Sequence, residues 1–189
     1  MIIGTIIPNN YLMPFESVKC FLSVATKYPI VYSQGPYIYD NRNQILKMAK
    51  RNNESLLMID SDIIFTVEDV DKIAEHLKTK DAVTGVYCLG VKPYPATIFK
   101  RVGKDYEYTE PPKEMQPIGA CGGGFMGLSA ELIQSLPDNA CNNVFEGDAM
   151  HGEDISLCYR IDEIGKTLYC DPSISVGQIR NNVLYYTKT

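Results

Sequence analysis

Residues 56–65 read LLMIDSDIIF. Four apolar residues, Leu56 to Ile59, lead into Asp60, and Ile63, Ile64 and Phe65 follow Asp62. Carboxylates beside so apolar a run are costly to bury unless a cation or a hydrogen-bond donor meets them. The run predicts a buried strand over 55–60, bounded by the polar Asn52–Asn53 pair before it and a helix cap at Thr66 after it. Residues two apart in a strand point to one face, so Asp60 and Asp62 would stand side by side where the strand leaves the sheet. Two carboxylates about 6 Å apart repel by roughly 3 kcal/mol at an effective dielectric near 20. A divalent cation reverses the sign of that interaction, and hard oxygen ligands suit Mg²⁺ or Mn²⁺. The plainer reading is that Asp60 closes the strand and Asp62 sits in a turn.

Working outward, residues 2–7 read as a strand ending at Pro8, with Asn9 and Asn10 as a polar turn. A helix from Pro14 carries Val18, Phe21, Leu22 and Ala25 at helical spacing, and a second strand covers 30–33. Asp40 or Asn41 is placed to cap a helix presenting Ile45, Met48 and Ala49. After the acids, Thr66 caps a helix with Val67, Val70, Ile73, Ala74 and Leu77 inward, and 82–87 is a fourth strand. Such alternation predicts an α/β fold with a mostly parallel sheet and helices on both faces. In open α/β sheets, ligands bind outside the carboxyl ends of the strands.

Beyond residue 90 the pattern changes. An antiparallel hairpin is expected with its turn at Gly103, then a glycine-rich strand through Gly122, Gly123 and Gly124, a short helix over 130–136, and a loop over 137–150. A helix follows Gly152 with Gly165 at its C′ position, then a last strand with a Pro turn; the tail from Ile179 is ambiguous.

The bulk properties narrow the classes. With 189 residues the chain fits one domain with a self-sufficient core. A net charge of −5 argues against broad nucleic-acid binding. No segment approaches the ~20 apolar residues of a membrane span, and MIIGTIIPNN lacks the basic start of a signal peptide, so a cytoplasmic protein is expected. Six scattered cysteines without a C-x-x-C pair read as reduced core thiols, and two histidines support no Cys/His zinc site.

The element hhhhD-x-D after a βαβαβ start resembles the GT-A-fold glycosyltransferases of the GT2-like kind, and is most similar to the compact members of phages, viruses and microbes. DNRNQILKMA, LLMIDSDIIFTVEDVDKI, DAVTGVYCL, IGACGGGFMGLSAELI and HGEDISLCYRIDEIGKTLYCDPSISVGQ carry the resemblance, in order, over most of residues 1–178. It implies one GT-A-like domain, Rossmann-like, with a nucleotide-binding half (1–90) and an acceptor-side half (91–189) holding a small antiparallel part. It also implies a metal-dependent, inverting transfer of sugar from a UDP- or GDP-sugar to a glycan or glycoprotein acceptor, in host cytoplasm if the chain is viral. Asp60 and Asp62 would hold Mn²⁺ or Mg²⁺ against the diphosphate. Pro8, Asn9, Arg42 and Ser61 would lie at the nucleotide; Arg42 read on its own is a solvated arginine at a helix start. Asp154, or else Glu153, would take the acceptor proton, and acids at a helix N-terminus are also favoured by the macrodipole. Gly122, Gly123, Gly124 and His151 would border the sugar or acceptor. Where the family often has V-G-H, this chain has Val176-Gly177-Gln178, so Gln178 would be a weaker, neutral metal ligand. The acceptor half is short enough that a partner chain or homo-oligomer has room to complete its pocket.

Other classes fit less well. A HAD-type phosphohydrolase carries D-x-D on its first strand, and a sugar-nucleotide pyrophosphorylase needs a glycine-rich basic N-terminal loop that MIIGTIIPNN lacks. A relative of the same fold that binds nucleotide sugar without turnover is the main alternative.

Overall fold

The structure, a computed structural model, describes residues 1–8, 12–88, 95–146, 149–180 and 183–185. The first half alternates as predicted apart from an additional two-residue strand, β4: β1 (Ile2–Pro8), α1 (Phe15–Val24), β2 (Ile30–Gly35), α2 (Ile38–Asn52), β3 (Leu56–Asp60), β4 (Ile63–Ile64), α3 (Val67–His76) and β5 (Ala82–Val86). The second half is made of shorter pieces: β6 (Ile98–Val102), β7 (Asp105–Tyr108), β8 (Gln116–Pro117), β9 (Ala120–Cys121), β10 (Phe125–Leu128) and α4 (Ala130–Ser135). It closes with β11 (Val144–Glu146), β12 (Ala149–His151), α5 (Glu153–Glu163), β13 (Leu168–Ser175), β14 (Gly177–Arg180) and β15 (Val183–Tyr185).

Seven strands form the central sheet in the order β2-β1-β3-β10-β5-β13-β8. Strand β1 runs parallel to β2 and β3, and β13 runs parallel to β5. Between these parallel groups lies β10, antiparallel to both β3 and β5. Side chains alternate across β3. Leu56 and Met58 join Ile45 and Ala49 of α2, Leu132 of α4 and Leu157 of α5 in one core layer. Leu57 and Ile59 join Phe21 and Val24 of α1 and Val70 and Ile73 of α3 in the other. Burial on both faces is why LLMI reads as unbroken apolar sequence.

Local signals place several ends. Thr66 and Asp69 form a reciprocal capping box at α3. Gly103 and Gly165 take positive φ at the β6–β7 turn and after α5. All six cysteines are free, and five are buried.

Elsewhere the structure corrects the sequence reading. Helix α2 begins at Ile38, with Tyr37 at its N-cap and no side-chain cap. Asn41 is buried in its first turn, donating to the Gly35 carbonyl at 3.1 Å and accepting from the Ser33 hydroxyl at 3.0 Å, so it ties α2 to β2. In α1 the inward face is Ser17, Phe21 and Val24, whereas Leu22 is 67% exposed. Residues 137–150 contain most of the β11–β12 hairpin. The ambiguous tail forms part of a second sheet, β15-β14-β4, which pairs Gln178 with Ile63. Pro172 lies in β13 where the register with β5 shifts between Cys170 and Ser175, a place where a missing N–H is tolerated. Among the described residues, no helix is long and apolar enough to cross a membrane.

Candidate active site

Strand β3 ends at Asp60, and the chain turns through Ser61 and Asp62 before β4 begins. Asp62 therefore lies in a turn, and the turn rather than the strand pleat brings the acids together. Ser61 of that turn is buried and lines the same cavity. That cavity has a volume of about 710 Å³, and its walls include Asp60, Asp62, Arg42, Glu153, Asp154 and Gln178.

Its floor is organised by Arg42, which is 4% exposed rather than solvated. The guanidinium donates to the Gly123 carbonyl at 2.7 Å and to Asp60 at 3.1 Å, and its Nε lies 3.5 Å from Glu153. Burial works to lower the arginine pKa, but the charges of Asp60, Glu153 and Asp154 outweigh it and hold the pKa above its ordinary value. Burial pushes the Glu153 carboxyl up, with Arg42 acting against the shift. Thus the first cation met by the acid pair is internal.

The rim differs. Asp62 accepts from the Gln178 amide nitrogen at 3.2 Å and lies 3.9 Å from Arg180. Burial, then the charge of Asp60, raises the Asp62 pKa. The other polar atom of the Gln178 amide, Oε1, is buried without a hydrogen-bond partner. An orphaned buried oxygen beside a carboxylate is a site that water or a cation would satisfy.

The glycine run serves side chains. A Cβ on Gly123 would come within 2.6 Å of the Arg42 guanidinium, and one on Gly124 within 2.8 Å of the Tyr87 hydroxyl. Tyr87 is buried and its hydroxyl accepts the Gly124 N–H at 2.8 Å. Next to Arg42, Asn43 accepts from the Cys141 N–H at 2.9 Å and donates to Asn142 at 2.8 Å, tying α2 to the segment before β11.

Asn9 lies outside the described residues. Pro8 ends β1, where it is paired in register with Gly35, and Gly124 is not among the described residues lining the cavity. His151 closes β12, edge-on to the Tyr106 ring at 5.3 Å, and is not among the described residues lining the cavity. Conversely, Tyr87, Phe99, Tyr108 and Arg180 line it without having been singled out from sequence. The alternation of Phe99 and Tyr108 within a predicted hairpin was the available signal for two of them.

The donors fit a hard divalent cation in part. Asp60, Asp62 and Gln178 Oε1 are oxygen donors, and such ions commonly complete their shell from phosphate and water. Among the described residues, however, no group of three or more His, Cys, Asp or Glu is arranged to hold a metal ion. Among the described residues lining the cavity are four acids (Asp60, Asp62, Glu153, Asp154) and two arginines (Arg42, Arg180), a formal charge of −2. That excess of negative charge favours a cation.

Sheet order and helical layers define a GT-A-like, Rossmann-like α/β fold with a mostly parallel central sheet. No family model and no curated protein matches the chain. Among solved structures it is similar to A197 from STIV, a viral protein, with a TM-score of 0.68 and 19% identity over 100% of this chain and 95% of that one. It is also similar to GalNAc-T7, solved with UDP, GalNAc and Mn²⁺, with a TM-score of 0.60 and 13% identity over 95% of this chain and 44% of that one. A third likeness is to 4-diphosphocytidyl-2C-methyl-D-erythritol synthase from Anaerococcus prevotii, with a TM-score of 0.50 and 11% identity over 96% and 91% of the two chains. Identities this low speak to the fold alone.

Proposed function

We propose that this chain is a metal-dependent glycosyltransferase, GT2-like, moving a sugar from a UDP- or GDP-sugar to an acceptor hydroxyl with inversion. The observation that carries the reading is one cavity in which Asp60, Asp62 and the orphaned Gln178 oxygen share a wall system with Asp154. In this reading the chain is one domain, with residues 1–90 serving the nucleotide and 91–189 the acceptor. Asp60, Asp62 and Gln178 would hold Mn²⁺ or Mg²⁺, which when bound neutralises charge on the leaving diphosphate. In the same reading Pro8, Asn9, Ser61 and Arg42 would border the nucleotide, and Gly122 and Gly123 would keep the wall beside the sugar thin.

Asp154 is the base. It lies in the first turn of α5 at the cavity wall, whereas its neighbour Glu153 is engaged by Arg42. The acceptor oxygen forms a bond to the anomeric carbon, the bond to the diphosphate oxygen breaks, and the acceptor proton passes to Asp154. Arg42 holds Asp60 and Glu153 in place while this happens.

The test is to incubate the protein with Mn²⁺ and a panel of UDP- and GDP-sugars and to follow free nucleotide diphosphate. Release that stops on chelation is expected. Asp154→Asn should bind nucleotide as the parent does and lose transfer by about 10²-fold or more. The Arg42–Asp60 ion pair favours a second reading, a binding relative without turnover. That reading expects a thermal shift with nucleotide sugar and no release.

A further inference from the structure

The cavity also has an aromatic wall that the proposed chemistry does not use. Phe99 of β6 and Tyr108 of β7 face each other across the hairpin, paired in register with ring centroids 4.7 Å apart, and both line the cavity. Phe99 is half-buried against the core, while Tyr108 stays 50% exposed, so a broad ring face is offered to whatever enters. The pair is held in fixed relation to the floor. Strand β6 pairs with β9, the Gly119 N–H donates to the Phe99 carbonyl at 3.1 Å, and the Gly122 N–H donates to the Thr97 carbonyl at 2.9 Å. Gly122 opens the loop whose next residue carries the carbonyl that receives Arg42. Burial, then the charge of Asp154, raises the Tyr108 phenol pKa, which is in keeping with a ring near that acid.

We propose that the Phe99–Tyr108 pair is the acceptor platform and that the acceptor is a carbohydrate, held by the C–H face of its pyranose ring on Tyr108 with a hydroxyl turned toward Asp154. An aromatic face beside carboxylates matches the two sides of a sugar, since apolar C–H groups stack and equatorial hydroxyls donate to acids. A peptide acceptor would instead use main-chain hydrogen bonds along the outer edge of β7, which pairs only with β6 among the described residues. The role of Asp154 rests on the transferase reading; binding of sugar to the rings does not.

The experiment separates the two. The protein, without nucleotide, is applied to a printed array of mono- and oligosaccharides alongside printed peptides, and UDP binding in Mn²⁺ is measured separately by calorimetry. Glycan retention is expected, falling at least tenfold in Tyr108→Leu, which keeps apolar contact with Phe99, and restored in Tyr108→Trp. The melting temperature confirms that each variant folds. Retention of peptides alone, no retention of any glycan, or equal retention by Tyr108→Leu would each overturn the platform. Absence of UDP binding with glycan retention intact would overturn the transferase reading and leave the platform standing. For a glycan that also accepts sugar, Tyr108→Leu should raise the acceptor KM at least tenfold, with the UDP Kd changed less than twofold.

Discussion

Asp60 and Asp62 sit two residues apart on one cavity, yet one is settled by the protein and the other is left open. On the floor, Asp60 meets a buried guanidinium at 3.1 Å that also holds Glu153 and the Gly123 carbonyl. At the rim, Asp62 meets a neutral amide at 3.2 Å and a half-exposed arginine at 3.9 Å, beside an amide oxygen with no partner. Asp60 is the more exposed of the two acids, 31% against 16%, yet it has the fixed charged partner, whereas the better-covered Asp62 has only weak ones. In the transferase reading the Arg42 contact is scaffold and the Asp62 side is where a ligand would exchange.

The sharpest way to break this contrast is Arg42→Met. It strands Asp60 and Glu153 without their cation and should cost about 3 kcal/mol, toward the low end for a broken buried pair because both acids keep some water. Calorimetric melting should fall by roughly 6–12 °C for a chain of this size. A fall of only a degree or two would mean the floor is not held by charge.

At the rim, Asp62→Asn should behave in the opposite way. The fold should melt within about 2 °C of the parent, since removing one of two crowded acids relieves repulsion. UDP affinity in Mn²⁺ should drop at least tenfold, or about 1.4 kcal/mol. Unchanged affinity by calorimetry would remove the metal from the rim.

An acid outside the cavity supplies a reference. Asp171 pairs with His76 at 2.8 Å and accepts the Ser173 N–H at 2.9 Å. Burial raises its pKa, but the Ser173 and His76 hydrogen bonds outweigh it and leave it below the ordinary carboxylate value. Because the folded pKa is the lower one, this stabilisation is complete above the unfolded value near 4 and is lost as pH falls through the folded value. Asp171→Asn should therefore cost about 1 kcal/mol at pH 7 and flatten the acid limb of stability in urea titrations from pH 7 to 3. An acid limb of unchanged slope would show that Asp171 does not contribute to it.

The smallest effect is expected from Gln178→His, which places an imidazole where an amide with an unpartnered oxygen now stands. Mn²⁺ affinity in the presence of UDP should rise a few-fold, read by Mn²⁺ paramagnetic resonance. No change, or weaker binding, would argue that this side chain does not reach the ion.

What could be read in advance was local. The run before Asp60, the cap at Thr66 and the glycines at 103 and 165 announce their elements within a few residues, and β1 through β5 follow that alternation. The same approach failed at Asn41, whose side chain looks like a cap yet binds the neighbouring strand, and at Leu22, which has helical spacing but points to solvent. Nothing local announces that β10 inserts antiparallel between β3 and β5.

By itself, the sequence determined the alternation of most strands and helices in the first half, that the sheet is covered on both faces, and that a pair of acids follows a buried strand. Propensity, capping and periodicity act over a few residues, so those facts are written locally. Only the tertiary structure decided that Arg42 meets Asp60 and a carbonyl 81 residues away, that the tail brings Gln178 to Asp62, and that the glycine run is thin to admit Arg42 and Tyr87. Partners so distant in the chain are selected by which segments the packed sheet brings together, and no short stretch of residues carries that information.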